Sequence, residues 1–438
     1  MALKSKPFVR ISCLAFVIVT LCTLSFFFRG EASNKNGLLS SGNQPSSPAK
    51  DTFESLSLTA AQCENAFPDL TKDIDEAVAR GPFKYEKTPG DYKGLVQGRI
   101  KNGKLYIISA AQDTAEEVLW ERNAVLHQLH RAILTSPSPL PDTIFSFCVN
   151  DQPKNNSWSF ARPTKRSSTL NNWLMPHFSF WSWPLPFIGT FDEALSKIAN
   201  VERSTPWEQK IDKAVWRGTV WFNPIGNLNL RPELLRIAGG QEWADVKNLK
   251  WESGGKKAEN AIGIEDFCRY KYIIYTEGVT YSGRLHYHQA CASIILTPPF
   301  NYIQHTGHLI RPVSSSSLLS STNARPSVES DGGLASSSSY IPADANIVFV
   351  APDWSDLKAT ITYLRAQPEI AKSIAQRQRQ LMVGKGYLSP AAEVCYWRAL
   401  ISGWSTVTMI DKTHEELSSG SGAMRWESFN LRGQLEWG

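Results

Sequence analysis

Two rhythms of apolar and polar residues divide this chain into elements. Over residues 113–134 the apolar positions Val118, Leu119, Val125, Leu126, Leu129 and Ile133 recur at helical spacing, and the flanking runs 104–110 and 143–149 predict strands. The same alternation returns later. The segment KAVWRGTVW (213–221) predicts a strand, 232–238 a helix, and the β-branched and aromatic run 272–275 a buried strand that Glu277-Gly278 breaks. A polar helix is then expected to open at Ser282-Gly283-Arg284 and close near Cys291, followed by a strand over 293–297, another over 346–350, and two or three helices ending near Trp404. Strands alternating with helices imply mostly parallel sheets, so the expected fold class is α/β, with two domains (58–204 and 205–410) facing a cleft.

The remaining segments lack this pattern. Residues 11–28 form an uncharged, mostly apolar run preceded by Lys4, Lys6 and Arg10, which predicts a transmembrane signal anchor with residues 1–10 cytosolic and the rest lumenal. Residues 29–57 are rich in Ser, Asn, Gly and Pro and predict a flexible stem; residues 313–340 predict a disordered serine-rich insertion, and 411–438 a C-terminal tail. The net charge of +5 over 438 residues gives no nucleic-acid footprint. Cys63, Cys148, Cys268, Cys291 and Cys395 lie in the expected lumenal part, an odd number, so at least one stays free or pairs between chains. Asn155-Asn156-Ser157 is an N-glycosylation sequon.

Candidate chemistry gathers around the unit 265–299. Strand, glycine turn, helix and strand follow one another there, so the free N–H groups of a helix start would face a crevice, Gly283 would let backbone approach a ligand, and Arg284 would grip two phosphate oxygens. The same segment also reads as an ordinary α/β crossover with a surface arginine. Trp216-Arg217-Gly218 ends one predicted strand and Arg231 begins a predicted helix; with Ser282 and Arg284 they would surround a diphosphate. Asp151 follows the strand TIFSFCV and is placed either as a general base projecting into the crevice or as the start of an Asx turn before Pro153. The stretch FSFWSWPLP offers Phe180, Trp181 and Trp183 as sugar-stacking surfaces, with an aromatic core as the alternative. No metal site is expected: Asp73 and Asp75 fall on an acidic helix start, and the pairs His286/His288 and His305/His308 lack a third ligand.

The motifs VNDQP, FSFWSWP, WRG with the later Arg231, CRYKYIIYTEGVTYSGRLHYHQAC and CYWRALISGW resemble, in order, those of the capsule-associated and Rumi-like protein O-glucosyltransferase family. The resemblance runs from about residue 140 to 404. It implies two Rossmann-like domains of GT-B type, a catalytic base at Asp151, diphosphate contacts at Arg217, Ser282, Arg284 and, less directly, Arg231, to which the residue pattern adds Gly218 and Gly283, and disulfides joining Cys268 to Cys291 and Cys63 to Cys395. It further implies a metal-independent, inverting transfer from UDP-xylose or UDP-glucose, with no separate cofactor, to a glycan or glycoprotein hydroxyl, in a single-pass Golgi membrane enzyme. The chain departs from the animal glucosyltransferases at Asn150 and Gln152, in the serine-rich insertion and in ending EWG without a retrieval signal. Two rival readings keep the topology: a lumenal sulfotransferase, whose phosphosulfate-binding loop is not found, and a tethered carbohydrate-binding protein with an inactive site.

Overall fold

The computed structural model describes residues 48–86, 94–111, 114–165, 171–253, 257–320, 339–410 and 423–433, all within the compact unit Ser47–Gly438. Two six-stranded sheets organise them. The first contains β1 (Leu95–Lys101), β2 (Lys104–Ala110), β3 (Thr143–Cys148), β4 (Ser157–Ser159) and β5 (Asn172–Leu174). The second contains β6 (Ile211–Gly218), β7 (Ala244–Asn248), β8 (Tyr270–Ile274), β9 (Ile294–Thr297), β10 (Pro312–Ser314) and β11 (Ile347–Phe349).

Only the second sheet is of the expected kind. Its order is β7-β6-β8-β9-β11-β10 and every pair is parallel. The first sheet is mixed, which corrects the expectation of two Rossmann-like domains: β2 pairs antiparallel with β1, and β1 antiparallel with β3, while β3, β4 and β5 run parallel. The reason lies at Asn102-Gly103, whose φ values of 51° and 68° close β1 and β2 into a tight hairpin. In the middle of β1, Gly98 leaves room for the ring of Phe145 opposite it on β3, since a Cβ there would meet it at 2.3 Å. The other part of the expectation, a preceding membrane helix, is not supported either. Among the described residues no helix is long and apolar enough to cross a membrane, and the expected span 11–28 lies outside them.

Three segments expected to be loose are folded. Pro48–Glu54, at the end of the expected stem, is a helix, with Phe53 packed 5.9 Å from Phe67. Within the expected insertion, β10 adds an edge strand and Ser315–Leu319 a helix capped by Ser314, while 321–338 lie outside the described residues. In the expected tail, β12 (Met424–Arg425) pairs with β2, and Trp426 and Phe429 of the helix that follows are buried.

The parallel sheet is covered on both faces, which is why its strands read as unbroken apolar runs such as YKYII and IILT. The helix Pro390–Val407 returns to the first sheet, starting with Ser389 as N-cap and Pro390 in its first turn. It is apolar on most of its surface because it is enclosed. Trp404 Nε1 donates to the Ile144 carbonyl at 2.9 Å, Trp397 Nε1 to Gln128 Oε1 at 3.1 Å, and Arg398 Nε to the Ala132 carbonyl at 3.0 Å. Cys395 of this helix is bonded to Cys63 of the short helix Ala60–Ala66. A link spanning 332 residues of sequence restricts the unfolded chain strongly. Replacing Cys63 and Cys395 with serine is expected to lower unfolding free energy by about 2–4 kcal/mol, measured by denaturant titration without reductant; an unchanged midpoint would contradict this role.

Candidate active site

In a parallel sheet, ligands bind beyond the carboxyl ends of the strands, where neighbouring connections run in opposite directions. Here that point lies between β6, which continues outward to β7, and β8, which continues to β9. The segments leaving the two strands, Gly218–Thr219 and Thr276–Arg284, therefore border one crevice.

Arg231 holds them together. It opens the helix Leu230–Ala238 and is buried. Its Nε and Nη2 donate to the Glu277 carbonyl at 3.1 and 2.9 Å, and its Nη1 to the Thr219 carbonyl at 2.8 Å. Burial, with repulsion from Arg284, pulls its pKa down to about 9. Arg284, half-buried, donates Nη1 to the Arg217 carbonyl, and its Nε lies 3.5 Å from Ser282 Oγ. Burial lowers its pKa to about 10. Both stay cationic near neutrality, and among the described residues neither has a carboxylate ion-pair partner. Buried positive charge held only by carbonyl dipoles favours an arriving anion.

Arg217 is placed differently. Its guanidinium is occupied by Asp245, with Nη2 2.8 Å from Oδ2 and Nη1 2.6 Å from the Asp245 carbonyl, and by the Asn260 carbonyl at 3.2 Å. What it presents to the crevice is backbone. The neighbouring glycines are needed for close packing: a Cβ on Gly218 would meet the Trp216 ring at 2.4 Å, and one on Gly283 the His177 ring at 2.4 Å. The helix after Arg284 is only five residues, Leu285–Gln289, so its dipole offers less to an anion than the expected longer helix would. Ser282 N donates to the Tyr275 hydroxyl at 2.9 Å, which fixes the turn. Cys268 and Cys291 are bonded, tying the end of this unit to the approach to β8.

Asp151 stands across the crevice at the end of β3. It is exposed, and its carbonyl accepts from Thr280 Oγ1 at 2.5 Å, so the first sheet is tied to the loop that carries Ser282 and Arg284. The Asx turn here belongs to Asn150, whose Oδ1 accepts from Gln152 N at 3.0 Å. Although the residue as a whole is exposed, the protein around it partly desolvates the Asp151 carboxyl and raises its pKa, against the opposing pull of Arg231.

Several contributors carry no obvious sequence signal. Glu277 is buried, and its carboxylate accepts from Asn301 N at 3.0 Å, Asn301 Nδ2 at 2.9 Å and Tyr302 N at 2.9 Å. A lone carboxylate directly after an apolar strand is the one hint of it. Glu277, Leu230, Asn227, Thr297 and Phe300 line a cavity of about 500 Å³ beside the arginines. His177 and His286 are buried on either side of Ser179 Oγ, at 2.6 and 2.9 Å; burial keeps both imidazoles well below their ordinary pKa, so they prop the Gly283 turn as neutral groups.

Phe180 is buried, whereas Trp181 and Trp183 are half-buried. Asp73 pairs with Arg162, whose Nε is 2.9 Å away, and Asp75 accepts from Thr71 Oγ1 at 2.9 Å. Among the described residues one group has metal-ligand proximity, Glu202 with Cys268 and Cys291, and there the sulfurs are bonded to each other while Glu202 pairs with Lys210 at 2.7 Å.

A family model described as glycosyl transferase family 90 matches residues 59–321. Protein O-glucosyltransferase 1 of Rattus norvegicus is 23% identical over 285 residues, which cover 61% of this chain and 63% of that relative. The protein of the same name in Homo sapiens is 23% identical over 283 residues, with the same coverage of 61% and 63%. O-glucosyltransferase rumi of Drosophila pseudoobscura pseudoobscura is 23% identical over 423 residues, 88% of this chain and 93% of the relative. The chain thus spans 63% of the length of those two mammalian relatives.

Desolvation raises the Glu277 pKa from 4.5 to about 7 despite its three donors. The folded protein then binds more protons than the unfolded chain between these values, so the contribution of Glu277 is fully present below 4.5 and is lost as pH rises through about 7. Relative to Glu277→Gln, the wild type should lose melting temperature as pH is raised across this window. Parallel melting curves for the two proteins would contradict the assignment.

Proposed function

Because the chain belongs to glycosyl transferase family 90, we propose that it is a glycosyltransferase that moves a sugar from a UDP-sugar to a hydroxyl of a glycan or glycoprotein. The observation that carries this reading is the pair Arg231 and Arg284, buried or half-buried cations without a carboxylate ion-pair partner among the described residues, beside the loop to which Asp151 is tied, with the Asp151 carboxylate in electrostatic reach of Arg231. The relatives' names support glucose as the transferred sugar, and xylose is the alternative donor sugar.

The reaction is a single inverting displacement. Asp151 removes the proton of the acceptor hydroxyl as its oxygen bonds to the sugar C1, and the bond from C1 to the diphosphate oxygen breaks on the opposite face. UDP leaves with the bonding electrons, and the two guanidinium groups neutralise the charge that develops on it, a role a divalent ion plays in other transferases. The cavity beside Glu277 accommodates the nucleoside end of the donor. The two disulfides support an oxidising lumenal location, the Golgi.

Asp151→Asn should retain UDP affinity and lose about a hundredfold to ten-thousandfold in single-turnover transfer at saturating donor, since an amide cannot take the proton; near wild-type turnover would remove Asp151 from the role. Arg284→Ala should weaken UDP binding by roughly tenfold to a hundredfold by calorimetry while the protein stays folded. Arg217→Ala should chiefly lower the melting temperature, because the guanidinium's buried bonds to Asp245 and to the Asp245 and Asn260 carbonyls are lost, although Asp245 keeps Lys247 and Tyr270. Equal losses of affinity in both variants, with equal stability, would refute this division of roles.

A further inference from the structure

A second cavity, of about 550 Å³, opens where the helices Glu116–Leu134, Phe191–Ser204 and Pro390–Val407 meet. It shares no lining residue with the cavity beside Glu277. Its walls combine the aromatic rings of Phe180, Trp181 and Phe191 with several strong hydrogen-bonding groups, Arg131, Asp192, Glu393 and Glu54. His127 lies parallel to the Trp181 ring at 5.0 Å and 7°, and the Arg131 guanidinium sits 4.9 Å from its centre. His127 and Arg131 are one turn apart on one helix, so they hold the indole in place from that side.

The polar groups are incompletely used. Glu393 is buried, with 4% of its surface exposed; its Oε2 pairs with Arg131, and the Trp397 indole, which donates to Gln128, lies near its carboxyl, yet among the described residues its Oε1 and the Arg131 Nε have no hydrogen-bond partner. A buried acceptor and a buried donor left open beside a cavity are costly unless something polar occupies it. Ligand hydroxyls supply both donors and acceptors, and the apolar face of a pyranose ring fits an indole plane. Three carboxylates against one guanidinium disfavour an anionic sugar.

We propose that this cavity is a second carbohydrate site, separate from the donor site, that takes a pyranose of a neutral glycan against Trp181 with its hydroxyls on Glu393, Arg131 and Asp192. The inference goes beyond the transferase reading and does not depend on it, because the site shares no residue with the diphosphate cradle.

Ligand-observed NMR on the full chain with the neutral trisaccharides maltotriose, xylotriose and mannotriose tests it. At least one should bind, should not be displaced by UDP, and should bind about tenfold more weakly to Trp181→Ala, the loss of roughly one aromatic contact. Asp192→Asn, an exposed change that keeps the fold if Trp181→Ala does not, should also weaken it, with UDP affinity unchanged in both. Three outcomes overturn the site: no trisaccharide binds, UDP displaces the one that does, or both variants bind it as the wild type does. Failure of UDP itself to bind would fall on the transferase reading instead.

Discussion

One buried guanidinium holds the candidate active site together. Arg231 donates three hydrogen bonds, to the carbonyls of Glu277 and Thr219, and those carbonyls belong to the segments leaving two adjacent parallel strands. The sheet ladder sets the separation of β6 and β8 up to their ends; beyond it Arg231 fixes the outgoing segments, together with Trp216 on Thr276 and Arg284 on the Arg217 carbonyl. A carboxylate in place of the carbonyls would hold the strands equally well but would cancel the charge. Carbonyl dipoles satisfy the donors and leave a net positive charge in a region of low dielectric, where an anion gains most. Arg284 adds a second charge anchored on the Arg217 carbonyl, and the mutual repulsion of the two cations is relieved by an anion that reaches both.

The rest of the fold brings a carboxylate to this positive crevice. Asp151 comes from the other sheet, and its carbonyl is bonded to Thr280, three residues from Gly283. The Gly283 turn rests on His177, which Ser179 links to His286. The disulfide between Cys268 and Cys291 bounds the same unit. The helix Pro390–Val407 and its disulfide to Cys63 tie the N-terminal helices to the first sheet. Positioning to within hydrogen-bond tolerances is thus a property of many weak constraints converging on one turn.

Much of the parallel sheet was legible in the sequence because strands buried on both faces read as apolar runs, and the glycine turn at Ser282-Gly283-Arg284 sits where its residue types placed it. The first sheet was misread because the alternation of strands and helices outweighed a local signal, Asn102-Gly103, that specifies a hairpin. Composition misled at Ser314–Leu319 and Trp426–Arg432, where tertiary contacts fold polar or terminal segments. At the site, sequence could not distinguish arginines that meet an acid from those that do not. Arg217 finds Asp245 only because β7 lies beside β6 in register, and Arg231 escapes such a partner. Glu277, His177 and Ser179 act through contacts distant in sequence, which no local pattern encodes. Asn150, rather than Asp151, makes the turn, a distinction set by geometry alone.

The proposed function requires the crevice to hold a diphosphate on protein cations. Calorimetric titration of the full chain with UDP, UMP and uridine, in the presence of a chelator, tests it most directly. Affinity should fall by about tenfold or more with each phosphate removed, and chelation should leave the UDP affinity unchanged. Uridine binding as tightly as UDP, or UDP binding abolished by the chelator, would contradict it.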